Sequence, residues 1–204
     1  MGVRAGTLKA QDVCRLGASA PLDVKVMTHF YSLYASWRIK DSYFNKMLHC
    51  GENYNRWVEI ALQYLPENIF NEQKERLAFF STGEVDACRV TRQICKEREI
   101  ILLSERILPK AGVNEVHETV RYYVFVVLHE VAHAIRLHKS PLFDSLTQEE
   151  IKQQEKEADD LAMTWFNEHV KIRNNPHLKP ITIDEVREAQ NKNQKMMENL
   201  YKNV

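Results

Sequence analysis

Apolar residues return at every third or fourth position over most of this chain, and the spacing changes only in one central stretch. Over residues 23–49 the positions Val26, Phe30, Leu33, Tyr34, Trp37, Phe44 and Leu48 follow the helical period, which predicts a helix or a bent pair of helices ended by Gly51. A second helix is predicted over 52–65, burying Trp57, Ile60, Ala61 and Tyr64 and stopped by Pro66, whose ring cannot continue a helix. Between 76 and 107 the period shortens. Three runs rich in β-formers, 77–82, 87–95 and 99–103, are separated by Gly83-Glu84-Val85-Asp86 and by Lys96-Glu97-Arg98, and so read as an antiparallel meander.

The longest apolar stretch comes next. Asn114 is the expected N-cap of a helix over 116–139, in which Val116, Val120, Val124, Val127, Val131 and Ile135 form one stripe. Over 122–128 this helix is apolar on nearly every side, which places it inside the core; the same β-branched run is also compatible with a strand over 121–127. After a stop at Ser140-Pro141, Thr147 and Glu150 have the spacing of a capping box and open a helix running to about residue 171. Asn174, Asn175, Pro176 and Pro180 then mark a loop, and Asp184 is the expected cap of a last helix over 185–202, whose sparse apolar positions suit a solvated face. The fold class is α+β, mainly helical, with a small antiparallel three-stranded sheet before the helix of 116–139. Residues 1–70 read as an N-terminal helical region and 71–204 as the region carrying the chemistry, within one compact domain.

Composition narrows the function without naming it. Lys plus Arg and Asp plus Glu stand at 28 each in 204 residues, a zero balance that favours neither nucleic acid nor an anionic membrane as partner. Cys14, Cys50, Cys88 and Cys95 have no C-x-x-C spacing, and no apolar run has the length of a signal peptide core or a membrane span, so a reducing cytoplasm is the expected setting. A nucleophile elbow, a Cys–His signature and a phosphate loop are all missing from the sequence.

One constellation stands out: His129-Glu130-Val131-Ala132-His133. Histidines four apart share one side of a helix, so both imidazoles can converge on one ion, and Glu130 lies beside it where a carboxylate can take a proton from water. A random chain of this composition shows the pattern about three times in a hundred, so a third ligand is needed to raise its weight. Glu155 and Asp159 supply a candidate. They share a helical face with Ile151, Ala158, Ala162 and Trp165, and two acids on such a face are costly to bury without a counter-charge. One Zn²⁺ ion held by His129, His133 and Glu155 provides that charge, with Asp159 accepting the N–H of a ligand imidazole. Glu157 competes for the third place but has no acid four residues on. A third histidine ligand at His138 is disfavoured. Arg136 stands where such a site needs a turn glycine, and an unbroken helix would point His138, five residues past His133, elsewhere, leaving it a cation at the helix end.

These residues resemble the gluzincin metallopeptidases, in which H-E-x-x-H is followed on a later helix by E-x-x-x-D. Here those are His129 to His133 and Glu155 to Asp159, 22 residues on from the second histidine. The wording Glu155-Lys156-Glu157-Ala158-Asp159, followed by Leu161-Ala162, is similar to the small ImmA/IrrE-type peptidases and the minigluzincins. The resemblance covers about 99–170. It implies a zinc-dependent metallopeptidase acting on a peptide or protein substrate laid along a sheet edge, with Glu130 as general base. The oxyanion donor is open among Tyr122, Tyr123, Arg136, His138, His169 and His177. The alternative is a non-catalytic interaction or regulatory module that keeps the metal site; the oligomeric state is not legible.

Overall fold

The computed structural model describes residues 47–48, 51–82, 87–90, 98–110, 112–141 and 144–202. The helix expected over 23–49 lies outside them except for Met47 and Leu48, both buried, and everything described belongs to one compact unit, Ser42–Val204. Helix α1, Gly51–Leu62, buries Trp57, Ile60 and Ala61 as the spacing requires, and Tyr64 follows them into the core. It ends a turn earlier than expected, where Gln63, Tyr64 and Leu65 donate to carbonyls only three residues back. Pro66 then caps a short helix α2, Glu67–Gln73, not foreseen because Phe70 is its one buried residue and seven residues show no period.

The sheet departs from a meander. Strands β1, Leu77–Thr82, β2, Ala87–Val90, and β3, Glu99–Ser104, occur in the order β1-β3-β2. β3 lies in the centre, parallel to β1 with Phe79 opposite Ile101, and antiparallel to β2 with Arg89 opposite Ile101. The expected all-antiparallel sheet is therefore a mixed one. The sequence run Ile100-Ile101-Leu102-Leu103 of β3 is apolar without alternation, although in the fold Ile101 and Leu103 are buried and Ile100 and Leu102 half-buried, as on a strand covered mainly on one face. Turn lengths between runs do not report which strands become neighbours.

Helix α3, Glu118–Arg136, is the central element. It packs against α1, β2, β3 and helix α4, Gln148–Arg173, which explains why residues 120–128 are buried on every side. The strand alternative for 121–127 is set aside by this packing. Helix propensity disfavours valine by only about 0.6 kcal/mol relative to alanine, whereas burying its side chain contributes about 1.5 kcal/mol or more. Helix α3 is shorter than expected at both ends. Its N-cap is His117, whose Nδ1 accepts from Thr119 N–H at 3.2 Å, while Asn114 makes the preceding turn by accepting from Val116 N–H.

The capping box of α4 forms as spaced: Thr147 Oγ1 accepts from Glu150 N–H, and Glu150 accepts from Thr147 N–H at 2.8 Å. Helix α5, Ile183–Lys202, is capped by Thr182 rather than Asp184, since Thr182 and Glu185 form a second reciprocal pair. Glu185 also takes the buried Arg121 guanidinium, and Val186 is buried, so α5 is tied to α3 rather than wholly solvated. At the far end of α4 the His169 ring stacks on Tyr64 with centroids 4.0 Å apart, and Arg173 Nε donates to His169 Nε2.

Candidate metal centre

The site lies where the second half of α3 faces the first half of α4. His129 and His133 are one turn apart on α3, and their Nε2 atoms come within 3.0 Å. Glu155 reaches across from α4, placing Oε2 3.3 Å from His129 Nε2 and Oε1 3.5 Å from His133 Nε2. Asp159, one turn further along α4, places Oδ1 2.9 Å from His129 Nδ1. A carboxylate only accepts, so Nδ1 of His129 donates to Asp159, and a metal ion in place of the proton on Nε2 would meet a lone pair directed toward His133 and Glu155.

These residues fit a metal ion. Ligands about 2.0–2.1 Å from a tetrahedral ion stand about 3.3 Å from one another, and the three closest separations, 3.0, 3.3 and 3.5 Å, surround that value. Among the described residues, His129, His133 and Glu155 are the group whose ligand atoms could hold one ion. The electrostatics agree. Burial disfavours charge on His129, but its bonds to Asp159 and Glu155 outweigh this and raise its pKa. His133 is held neutral by burial first, then by His129, His138 and Arg89. The group is built to receive positive charge at one point.

Glu130, the residue after His129 and so about 100° round the helix from it, is 9% exposed. Burial pushes its carboxyl up to about 7, with His129 and Arg89 lowering it and Glu155 raising it, which also places it within electrostatic reach of all three. The acids on α4 are more open than the sequence suggested: the Glu155 side chain is 50% exposed and that of Asp159 29%. An expectation that both needed rescue from burial is thereby corrected. α4 covers the site from one side only, leaving Glu155 open to solvent.

Two residues stand where sequence reasoning did not put them. Glu157, the rival third ligand, is turned away from the histidine pair and accepts from His138 Nε2 at 3.2 Å. His138, expected to point elsewhere, has its Nδ1 2.9 Å from His133 Nδ1. The cause is Leu137, which takes the left-handed conformation (φ 55°). Leu137 N–H then bonds the Ala134 carbonyl, and His138 N–H the His133 carbonyl, closing α3 as a Schellman motif and folding His138 back over the last turn. Glycine is the usual signal for that turn, and Leu137 gives none. Arg89 was not singled out either. From β2 it pairs with Glu99 at 3.0 Å, both side chains buried, and its other nitrogen donates to the His138 carbonyl. Of the six oxyanion candidates, His138 and His169 are engaged by these neighbours and by Arg173.

The fold and site thus define a helix-borne His-His-Glu group competent for a divalent metal. Residues 113–193, which include all of α3 and α4, match the family model described as Peptidase U49. That match supports a peptidase, a hydrolase acting on peptide or protein substrates. No curated protein and no solved structure matches the chain. Among the described residues no helix is long and apolar enough to cross a membrane.

Proposed function

We propose that this protein is a zinc-dependent metallopeptidase of the gluzincin type, with His129, His133 and Glu155 as ligands to one Zn²⁺ and Glu130 as the catalytic carboxylate. The observation that carries the proposal is the meeting of two imidazole Nε2 atoms and one carboxylate, drawn from two helices, at separations of 3.0–3.5 Å. Three protein ligands are the pattern of catalytic zinc sites, whereas structural sites usually have four.

Zinc bound there supplies Lewis acidity, bringing the pKa of water toward about 7 and polarising a carbonyl. The chain's own residues do the rest. Glu130 accepts a proton from the attacking water as its oxygen bonds to the carbonyl carbon, then gives that proton to the amine as the C–N bond breaks. A buried carboxyl near 7 suits a group that must both take and return a proton near neutrality. Asp159 fixes the His129 ring in the tautomer that offers Nε2. Among the described residues β2 is an edge of the sheet, and it packs on α3, so its open backbone groups can hold an extended peptide next to the site.

Glu130→Gln tests the proposal. Glutamine keeps the shape but cannot take the proton, so peptide hydrolysis should fall by at least about a hundredfold while zinc content is unchanged. Undiminished turnover in that variant would remove Glu130 from the mechanism.

A further inference from the structure

Resting on the metal reading above, we infer that His138 is a positioning residue: it is the middle link of a relay, Glu157 to His138 to His133, that determines which nitrogen of His133 is offered to the ion. The direction of the relay follows from what each atom can do. Glu157 as a carboxylate accepts, so His138 Nε2, 3.2 Å away, carries its proton and donates. The neutral His138 ring then has an acceptor at Nδ1, which meets His133 Nδ1 at 2.9 Å. His133 must therefore donate from Nδ1 and keep its lone pair on Nε2, the atom 3.0 Å from His129 Nε2. Asp159 performs this task directly for His129. For His133 the acid lies one imidazole further away.

The link is held rather than merely adjacent. The Schellman turn at Leu137 sets the backbone of His138, and Arg89 on β2 fixes its carbonyl. The His138 ring is buried, with 8% of its side chain exposed. On the α4 side Gln153 Nε2 donates to the other oxygen of Glu157 at 2.6 Å, and Gln154 Oε1 accepts from Lys139 N–H at 2.7 Å, holding the loop against the helix. Sheet, loop and helix converge on one imidazole that does not itself face the ion.

The test is zinc affinity by chelator competition, together with the visible absorption spectrum of the Co²⁺-loaded protein, for the full chain and three variants. His138→Phe keeps the ring's bulk and removes both bonds; zinc binding should weaken by about ten- to a hundredfold and the cobalt bands should shift. His138→Asn offers an oxygen to His133 and an N–H₂ to Glu157, and should recover part of the affinity and the spectrum. Glu157→Leu, on an exposed face of α4, should weaken binding in the same direction, and it keeps the relay testable if His138→Phe does not fold. Wild-type affinity and spectrum in the folded Phe variant, or in Glu157→Leu, overturns the relay. Failure of the unmodified protein to bind either ion overturns the metal reading instead.

Discussion

His129 and Asp159 lie 30 residues apart on different helices, yet Nδ1 of the one and Oδ1 of the other are 2.9 Å apart. That bond joins α3 to α4 at the point where ring orientation matters most, and it uses a carboxylate that is 29% exposed. Asp159→Asn keeps an acceptor but removes the charge. Zinc affinity in this variant should fall by about tenfold or more, with little loss of fold, as chelator competition and thermal melting will show. Unchanged affinity would reduce the bond to a helix-packing contact.

Arg89 and Glu99 form a pair in which both side chains are 5% exposed, and removing one partner strands a buried charge. Arg89→Met should cost about 3 kcal/mol of stability, read from denaturant unfolding. Adding Glu99→Leu should return most of that loss, because a buried pair contributes little over well-packed apolar residues. The double variant still lacks the donor to the His138 carbonyl, so its zinc affinity should stay below wild type after stability is recovered.

Leu137 adopts φ 55° with 62% of its surface exposed, so it bears the steric cost of the left-handed region with little burial to offset it. Leu137→Gly should raise stability by up to about 1 kcal/mol while leaving the turn, and hence His138, in place. A lower melting temperature would show that the leucine side chain makes a compensating contact.

His169 supplies the clearest pH dependence away from the metal centre. Burial, then the neighbouring Arg173 cation, lower its pKa to about 4 from the ordinary 6.5. Between those values the unfolded chain binds the proton and the folded chain does not, so the contribution is complete above pH 6.5 and is lost as pH falls toward 4. It amounts to at most about 3 kcal/mol. His169→Phe should lose less stability than wild type between pH 7 and pH 4.5, measured by denaturant unfolding; parallel losses would contradict the assignment.

How far the chain could be read in advance depended on whether its signals were local. The H-E-x-x-H spacing and the Glu155 to Asp159 spacing each lie within one helix, and the geometry that brings them together follows from helical periodicity and a capping box at Thr147. The order β1-β3-β2 was not legible, because neither the turns between runs nor the unbroken apolar run of β3 says which strands become its neighbours. His138 was misplaced for a different reason. Its direction is set by one left-handed residue, and at that residue the sequence has Leu137 where glycine would have announced the turn. The caps at His117 and Thr182 lie within three residues of those expected, since several polar residues near each helix start can serve.

The central claim is that His129, His133 and Glu155 hold one zinc ion on which peptide hydrolysis depends. Elemental analysis of the purified protein, paired with digestion of an unstructured peptide before and after chelation, measures it most directly. The expected result is about one zinc per chain, with digestion abolished by the chelator and restored by adding zinc back. Protein that stays metal-free in excess zinc, or digestion that proceeds undiminished under chelation, would contradict it.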